Sequence, residues 1–180
     1  MASIRPTQAD ELLRHVVVVG GAGFIGGHAV DRLLADPETV QVTVFDNFSS
    51  GRESHLAPHA SDKRLKIVRG DVKDIDALTR AMEGHTTAIH LASNPDIAKA
   101  MTDPTIDFDE GTLLTHHVVE SMRRAGLTQI LYASGSGVYG DIGAEEAAED
   151  RGELIPVSTY GASKLAGEAL IASYCYMFDM

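Results

Sequence analysis

The sequence predicts an α/β fold: a parallel sheet with helices on both faces, wound in two directions from its middle. Three observations carry that expectation. Short β-branched runs alternate with helical stretches along almost the whole chain. The first run is uniformly apolar, as in a strand buried on both sides. It breaks abruptly into a glycine cluster that opens a helix.

His15–Val19 (HVVVV) is the first strand, and Phe24–Leu34 is the helix after the glycines. Val40–Asp46 (VQVTVFD) alternates and is rich in Val, Thr and Phe, so it reads as a second strand. Leu65–Arg69 (LKIVR) is the third, followed by a helix over Asp74–Met82 (DIDALTRAM). Thr86–Leu91 (TTAIHL) and Gln129–Ser134 (QILYAS) complete five strands. Between those two lies a long helix, Thr105–Ala125, with Asp103 placed to cap it and Pro104 in its first turn. Leu114, Val118 and Met122 recur on it every four residues, and Gly126 stops it. A last helix covers Thr159–Phe178. Residues 1–14 form an N-terminal extension, and 15–180 a single domain. Two long loops, Asn47–Ser61 and Gly135–Ser158, follow strands two and five, at the carboxyl ends where such sheets bind ligands.

Composition narrows the partners. The 180 residues are 44% hydrophobic and 23% charged, the balance of a soluble globular protein. No apolar run approaches the 18 or so residues needed to span a bilayer, and Met1–Arg14 has no signal-peptide core. Fifteen Lys and Arg against 26 Asp and Glu give a net charge of −11, which repels nucleic acid. The single cysteine, Cys175, excludes a disulfide framework and fits a reducing cytoplasm. The eight His and one Cys show no metal-ligand spacing.

Gly20-Gly21-Ala22-Gly23-Phe24-Ile25-Gly26 sits between the first strand and the first helix. Gly20 permits a tight turn, Gly23 lets backbone approach a pyrophosphate, and Gly26 allows the helix to pack close to the sheet. The free N–H groups of that helix meet the phosphate charge. Asp46 ends the second strand 20 residues after Gly26, the spacing of an acid that binds a ribose diol. A carboxylate there repels a 2′-phosphate, so the expected cofactor is NAD and not NADP. Arg52, in the following loop, is the one nearby charge that would favour a phosphate.

The spacing G-x-x-G-x-x-G, with Tyr160-Gly161-Ala162-Ser163-Lys164 far downstream, resembles the short-chain dehydrogenase/reductase superfamily, whose fold is of the Rossmann type. The chain is most similar to its extended branch of nucleotide-sugar epimerases and dehydratases. The matching segments are GGAGFIG (20–26), DNFSSGR (46–52), GDVKD (70–74), HLASNPD (90–96), SGSGVYG (134–140) and STYGASKLAGE (158–168). The resemblance implies that Asp71 and Val72 lie beside the adenine, that Leu91 and Ala92 line the cofactor, and that Phe24, Ile25, Asn47, Ser50 and Gly51 join the cofactor-binding set. It makes Tyr160 and Lys164 the catalytic pair and a nucleotide-sugar the substrate. Four residues apart on a helix, the two side chains share a face. An ammonium about 4 Å from a phenol stabilises phenolate by roughly 4 kcal/mol at an effective dielectric of about 20.

Three departures from the family pattern stand out. The Ser or Thr three residues ahead of Val138 is replaced by Gly135, leaving Ser136, or else Ser134, to donate to a substrate oxygen. The acidic pair of the dehydratases is absent from the same stretch, which points to epimerisation. Gly111 takes the place of the family's asparagine in the long helix, and the neighbouring His116 and His117 read as helix-face residues. Finally, members of the family continue past the Tyr-Lys helix with further strands and a substrate lobe, whereas this sequence ends at Met180. The expectation is an epimerase-like NAD-binding portion, impaired in turnover; the alternatives are a non-catalytic NAD-binding module and an interaction domain that dimerises through helices 105–125 and 159–178.

Overall fold

The computed structural model describes residues 12–94 and 96–180; most of the 1–14 extension and Pro95 of the HLASNPD segment lie outside them. Five strands form one sheet: β1 (His15–Val19), β2 (Gln41–Asp46), β3 (Leu65–Arg69), β4 (Thr87–His90) and β5 (Gln129–Tyr132). The order is β3-β2-β1-β4-β5 and every pairing is parallel. The chain therefore steps outward from β1 in one direction and then in the other, and the switch between β1 and β4 opens a crevice at their carboxyl ends. The helices are α1 (Phe24–Ala35), α2 (Ile75–Met82), α3 (Leu113–Ala125) and α4 (Thr159–Phe178).

The strand-one run explains the two layers. Side chains alternate across a sheet, so Val17 and Val19 enter one core with Phe45, Leu78, Met82, Val118 and Met122, below α2 and α3. Val16 and Val18 enter the other with Val30, Leu33, Leu34, Val42 and Val44, against α1. All four valines are fully buried. Leu114, Val118 and Met122 belong to the first core, so the regular apolar stripe of α3 faces the protein's own sheet. Beyond β4, no strand among the described residues pairs the other edge of β5.

One helix end falls as the sequence leads one to expect. Gly126 ends α3 in the left-handed conformation at φ 78°, while Asp74, placed within its helix by the sequence reading, caps it instead and accepts the Ala77 N–H at 2.9 Å. Ser158 caps α4 through the Gly161 N–H at 3.0 Å.

The expectation of a regular helix over 105–125 is corrected. Its continuity holds from Ile106, but its regularity does not: Ile106 and Asp107 are α-helical, Phe108–Thr112 is a π-helical turn, and regular α-helix resumes at Leu113. Asp103 does not act as the expected cap: its carboxylate accepts from the Thr105 hydroxyl at 2.9 Å. The wide turn has a packing reason. A Cβ on Gly111 would stand 2.7 Å from Ser163 Oγ and 3.1 Å from its Cβ, so this turn presses its backbone against α4. Single π turns of this kind recur at functional sites.

Candidate functional site

The glycine turn is shaped by contacts that admit no side chain. Gly20 has φ +83°, and a Cβ there would come within 2.7 Å of the Ala92 backbone nitrogen. A Cβ on Gly26 would meet Gly20 O at 2.3 Å, so Gly26 packs against the turn itself rather than directly against a strand. Gly23 precedes α1 in extended conformation without a side-chain cap. The first-turn N–H groups of α1 are thereby left directed at the crevice.

The loop after β2 is stitched to this turn. Asp46 is 8% exposed; one of its oxygens accepts the Ala22 N–H at 2.9 Å and the other the Phe48 N–H at 2.7 Å. Each carboxylate oxygen retains a second lone pair, and Asp46 lines the cleft. Ala22 O in turn accepts from the Arg52 N–H at 2.9 Å and bonds the His55 Nδ1 at 2.8 Å. Gly51 sits behind the carboxylate, where a Cβ would lie 2.9 Å from Asp46 Oδ1 and 2.8 Å from the Ala22 Cβ. Further along, Asn47 donates to Asp71 at 3.2 Å, and Val72 is nearly buried.

At the other end stand Tyr160 and Lys164. They lie on the first turns of α4, which approaches β5 and the turn after it through its small residues: a Cβ on Gly161 would reach Gly137 O of that turn at 2.4 Å, and one on Gly167 the Tyr132 hydroxyl of β5 at 2.5 Å. Lys164 is 5% exposed, its Nζ donates to Ala133 O at 2.9 Å, and burial pushes its pKa down. The Nζ is 5.5 Å from the Tyr160 ring centroid and 5.1 Å from that of Tyr132. Beneath, His90 is fully buried and held neutral, its pKa lowered to about 3 by desolvation and then by the Lys164 charge. Its Nε2 lies 3.2 Å from Thr115 Oγ1, which donates to Gly111 O at 2.9 Å. Thr115 has thus spent its proton, and the histidine Nε2–H is the donor between the two.

One cleft of about 690 Å³ joins these pieces. Gly20, Gly23, Phe24, Ile25, Gly26, Asp46, Asn47, Ser50, Asp71, Val72, Leu91, Ala92, Ser134, Tyr160 and Lys164 all line it, while Gly51 and Ser136 do not. Ser136 begins a 3₁₀ turn and is exposed. The Ser134 hydroxyl donates to the Glu168 carboxylate. Position 135 is the one aimed at the tyrosine: a Cβ on Gly135 would stand 3.9 Å from Tyr160 Cε1 in otherwise open space.

The sequence reading passed over Ser93, Asn94, His55 and Glu110, which also line the cleft. Glu110 pairs with Lys73, raising the lysine's pKa. Asn94 is buried and donates to Asp107 at 3.0 Å, and Asp107 also accepts from Thr159 at 2.7 Å. Those bonds tie the β4 loop, the π turn and the start of α4 together. His116 and His117 serve packing: His117 Nδ1 meets Val72 O at 3.2 Å and His116 Nε2 the Tyr174 hydroxyl at 3.3 Å.

A parallel sheet with its crevice between β1 and β4, a glycine turn opening a helix, and a buried acid ending β2 define a dinucleotide-binding α/β protein. The model of the NAD dependent epimerase/dehydratase family matches residues 16–180, and the chain belongs to that family. It is 34% identical over 166 residues to a UDP-glucose 4-epimerase of Mycolicibacterium smegmatis, covering 91% of this chain and 52% of that one. The UDP-glucose 4-epimerase of Thermus thermophilus, solved with NAD, matches with a TM-score of 0.81 and 32% identity over 92% of this chain and 52% of the other. A dTDP-glucose 4,6-dehydratase from Streptomyces venezuelae, also solved with NAD, gives 0.86 and 29% over the same shares. The chain spans about half the length of these relatives.

Among the described residues no helix is long and apolar enough to cross a membrane, and no three His, Cys, Asp or Glu side chains are grouped to hold a metal ion.

Proposed function

We propose that this chain is the NAD-binding portion of a nucleotide-sugar 4-epimerase-like protein, and that by itself it binds NAD while turning over an NDP-hexose poorly or not at all. The observation that carries the reading is the single cleft running from the glycine turn and Asp46 to Tyr160 and Lys164. The glycine cradle, closed to any Cβ at Gly20 and Gly26, fits a pyrophosphate, and Asp46 and Asp71 suit the adenosine half. NAD, when bound, supplies a hydride acceptor. With NAD in place, Tyr160 would accept the proton of a sugar hydroxyl, and Lys164 would hold the second ribose and steady the negative charge on the phenol.

The specific observation in favour of a second reading, a non-catalytic NAD-binding module, is the pair of glycines. Gly135 puts no hydrogen-bond donor beside Tyr160, and Gly111 is closed against Ser163. Self-association is part of both readings. The end of α4 supports it, with Tyr176 and Met177 91% and 69% exposed.

The test is turnover. The purified chain with NAD is expected to leave UDP-glucose and UDP-galactose unchanged, and measurable interconversion overturns that part of the proposal. Gly135→Ser, in a chimera carrying the C-terminal half of a family epimerase, separates the two readings. A rate gain on the order of 100-fold, the worth of one oriented donor, marks an impaired enzyme; no gain marks a module.

A further inference from the structure

Lys164 is a buried cation with few polar partners. An ammonium carries three N–H groups, yet this one is 5% exposed and its hydrogen bond within the chain goes to Ala133 O, at 2.9 Å. Among the described residues no carboxylate pairs with it. Burial acts against its charge, and a buried charge without compensation is costly. What does face it is aromatic. The Nζ lies over two rings, 5.1 Å from the Tyr132 centroid and 5.5 Å from that of Tyr160. Both distances fall within the reach of a cation–π attraction, about 6 Å.

The two rings differ in kind. Tyr160 lines the cleft, whereas Tyr132, the last residue of β5, is not among the residues that line it. Burial pushes the Tyr132 pKa up, so its phenol stays neutral and a ring face, not a phenolate charge, meets the ammonium. That ring is also fixed in place. Its centroid is 5.4 Å from the His90 ring at an angle of 33°, and its hydroxyl abuts Gly167, where a Cβ would stand 2.5 Å away. Gly167 follows Lys164 by one turn of α4, so strand and helix hold the ring against the lysine from two sides. His90, the other titratable neighbour, is neutral and offers no counter-charge.

We propose that Tyr132 is a positioning residue for Lys164: its ring face seats the ammonium beside Tyr160 and keeps it cationic. The inference rests on the reading of Tyr160 and Lys164 as the reacting pair. An electron-rich ring offsets part of the desolvation that otherwise drives the proton off. Lys164 thereby keeps the charge that steadies the Tyr160 phenol, without a carboxylate that would neutralise it.

The test is a side-chain NMR titration of the lysines in the ligand-free 180-residue chain. Lys164 is one of five lysines, and its signal is the one lost in Lys164→Met. Tyr132 is replaced by Phe, and then by phenylalanines of increasing fluorine content, which drain electron density from the ring with little change of shape. Tyr132→Phe is expected to leave the Lys164 titration where it stands in the parent. The fluorinated series is expected to move it stepwise to lower pH, by about one unit at its end, which is tenfold in the protonation equilibrium. A role in packing alone would move neither. A flat fluorinated series, or a shift as large from Tyr132→Phe alone, overturns the proposal. Failure of the chain to bind NAD is a separate result: it defeats the cofactor reading and leaves the Lys164 titration to be judged by itself.

Discussion

His90 shows how one buried side chain sets a solution property. Its pKa of about 3 lies well below the ordinary imidazole value near 6.5, and desolvation is the chief cause. Burial lowers His85 in the same direction. Between those limits the unfolded chain binds protons that the folded one refuses, so stability rises with pH and is lost as pH falls from about 6.5 toward 3. The slope from His90 alone is about 1.4 kcal/mol per pH unit. Unfolding free energy measured from pH 6 to 4 is expected to fall by about that slope in the parent and less steeply in His90→Asn, where His85 still contributes; a flat parent profile contradicts the assignment. Residue identity was legible in the sequence for Gly20 and Asp46, whose motif spacing names their work. It was not legible for His90, because nothing in a linear pattern says which ring ends up in the core.

At the scale of elements, the boundaries that the sequence carried were those with local causes. Gly126 marks a helix end because the cap is chemistry between near neighbours, and α4 runs over the predicted Thr159–Phe178, with Ser158 a cap that the structure adds. The π turn at Phe108–Thr112 escaped for the opposite reason. Its cause is a contact between Gly111 and Ser163, 52 residues apart, and apolar periodicity from Leu114 onward gives no sign of it. If that contact fixes the turn, Gly111→Ala destabilises the chain by about 1–3 kcal/mol in chemical denaturation despite alanine's better helix propensity. Ser163→Gly in the same chain is expected to couple with it by more than about 0.5 kcal/mol. A neutral or stabilising Gly111→Ala contradicts the packing account. The same distance argument covers Asp107, whose bonds to Asn94 and Thr159 join three elements.

For the whole molecule, the alternation of strand and helix sufficed to anticipate the crevice, because a sheet that reverses its direction of winding has one at the reversal. Fifteen of the seventeen anticipated site positions line that cleft, and the two others, Gly51 and Ser136, are set apart by how loops turn. The central claim is that this chain's cleft accepts NAD through the glycine turn and Asp46. Calorimetric titration of the purified 180-residue chain with NAD, and with NADP as control, tests it most directly. Saturable binding with NAD preferred is the predicted result, since Asp46 accepts from a ribose diol and repels a 2′-phosphate. A chain folded by circular dichroism that binds neither dinucleotide, or prefers NADP, contradicts it.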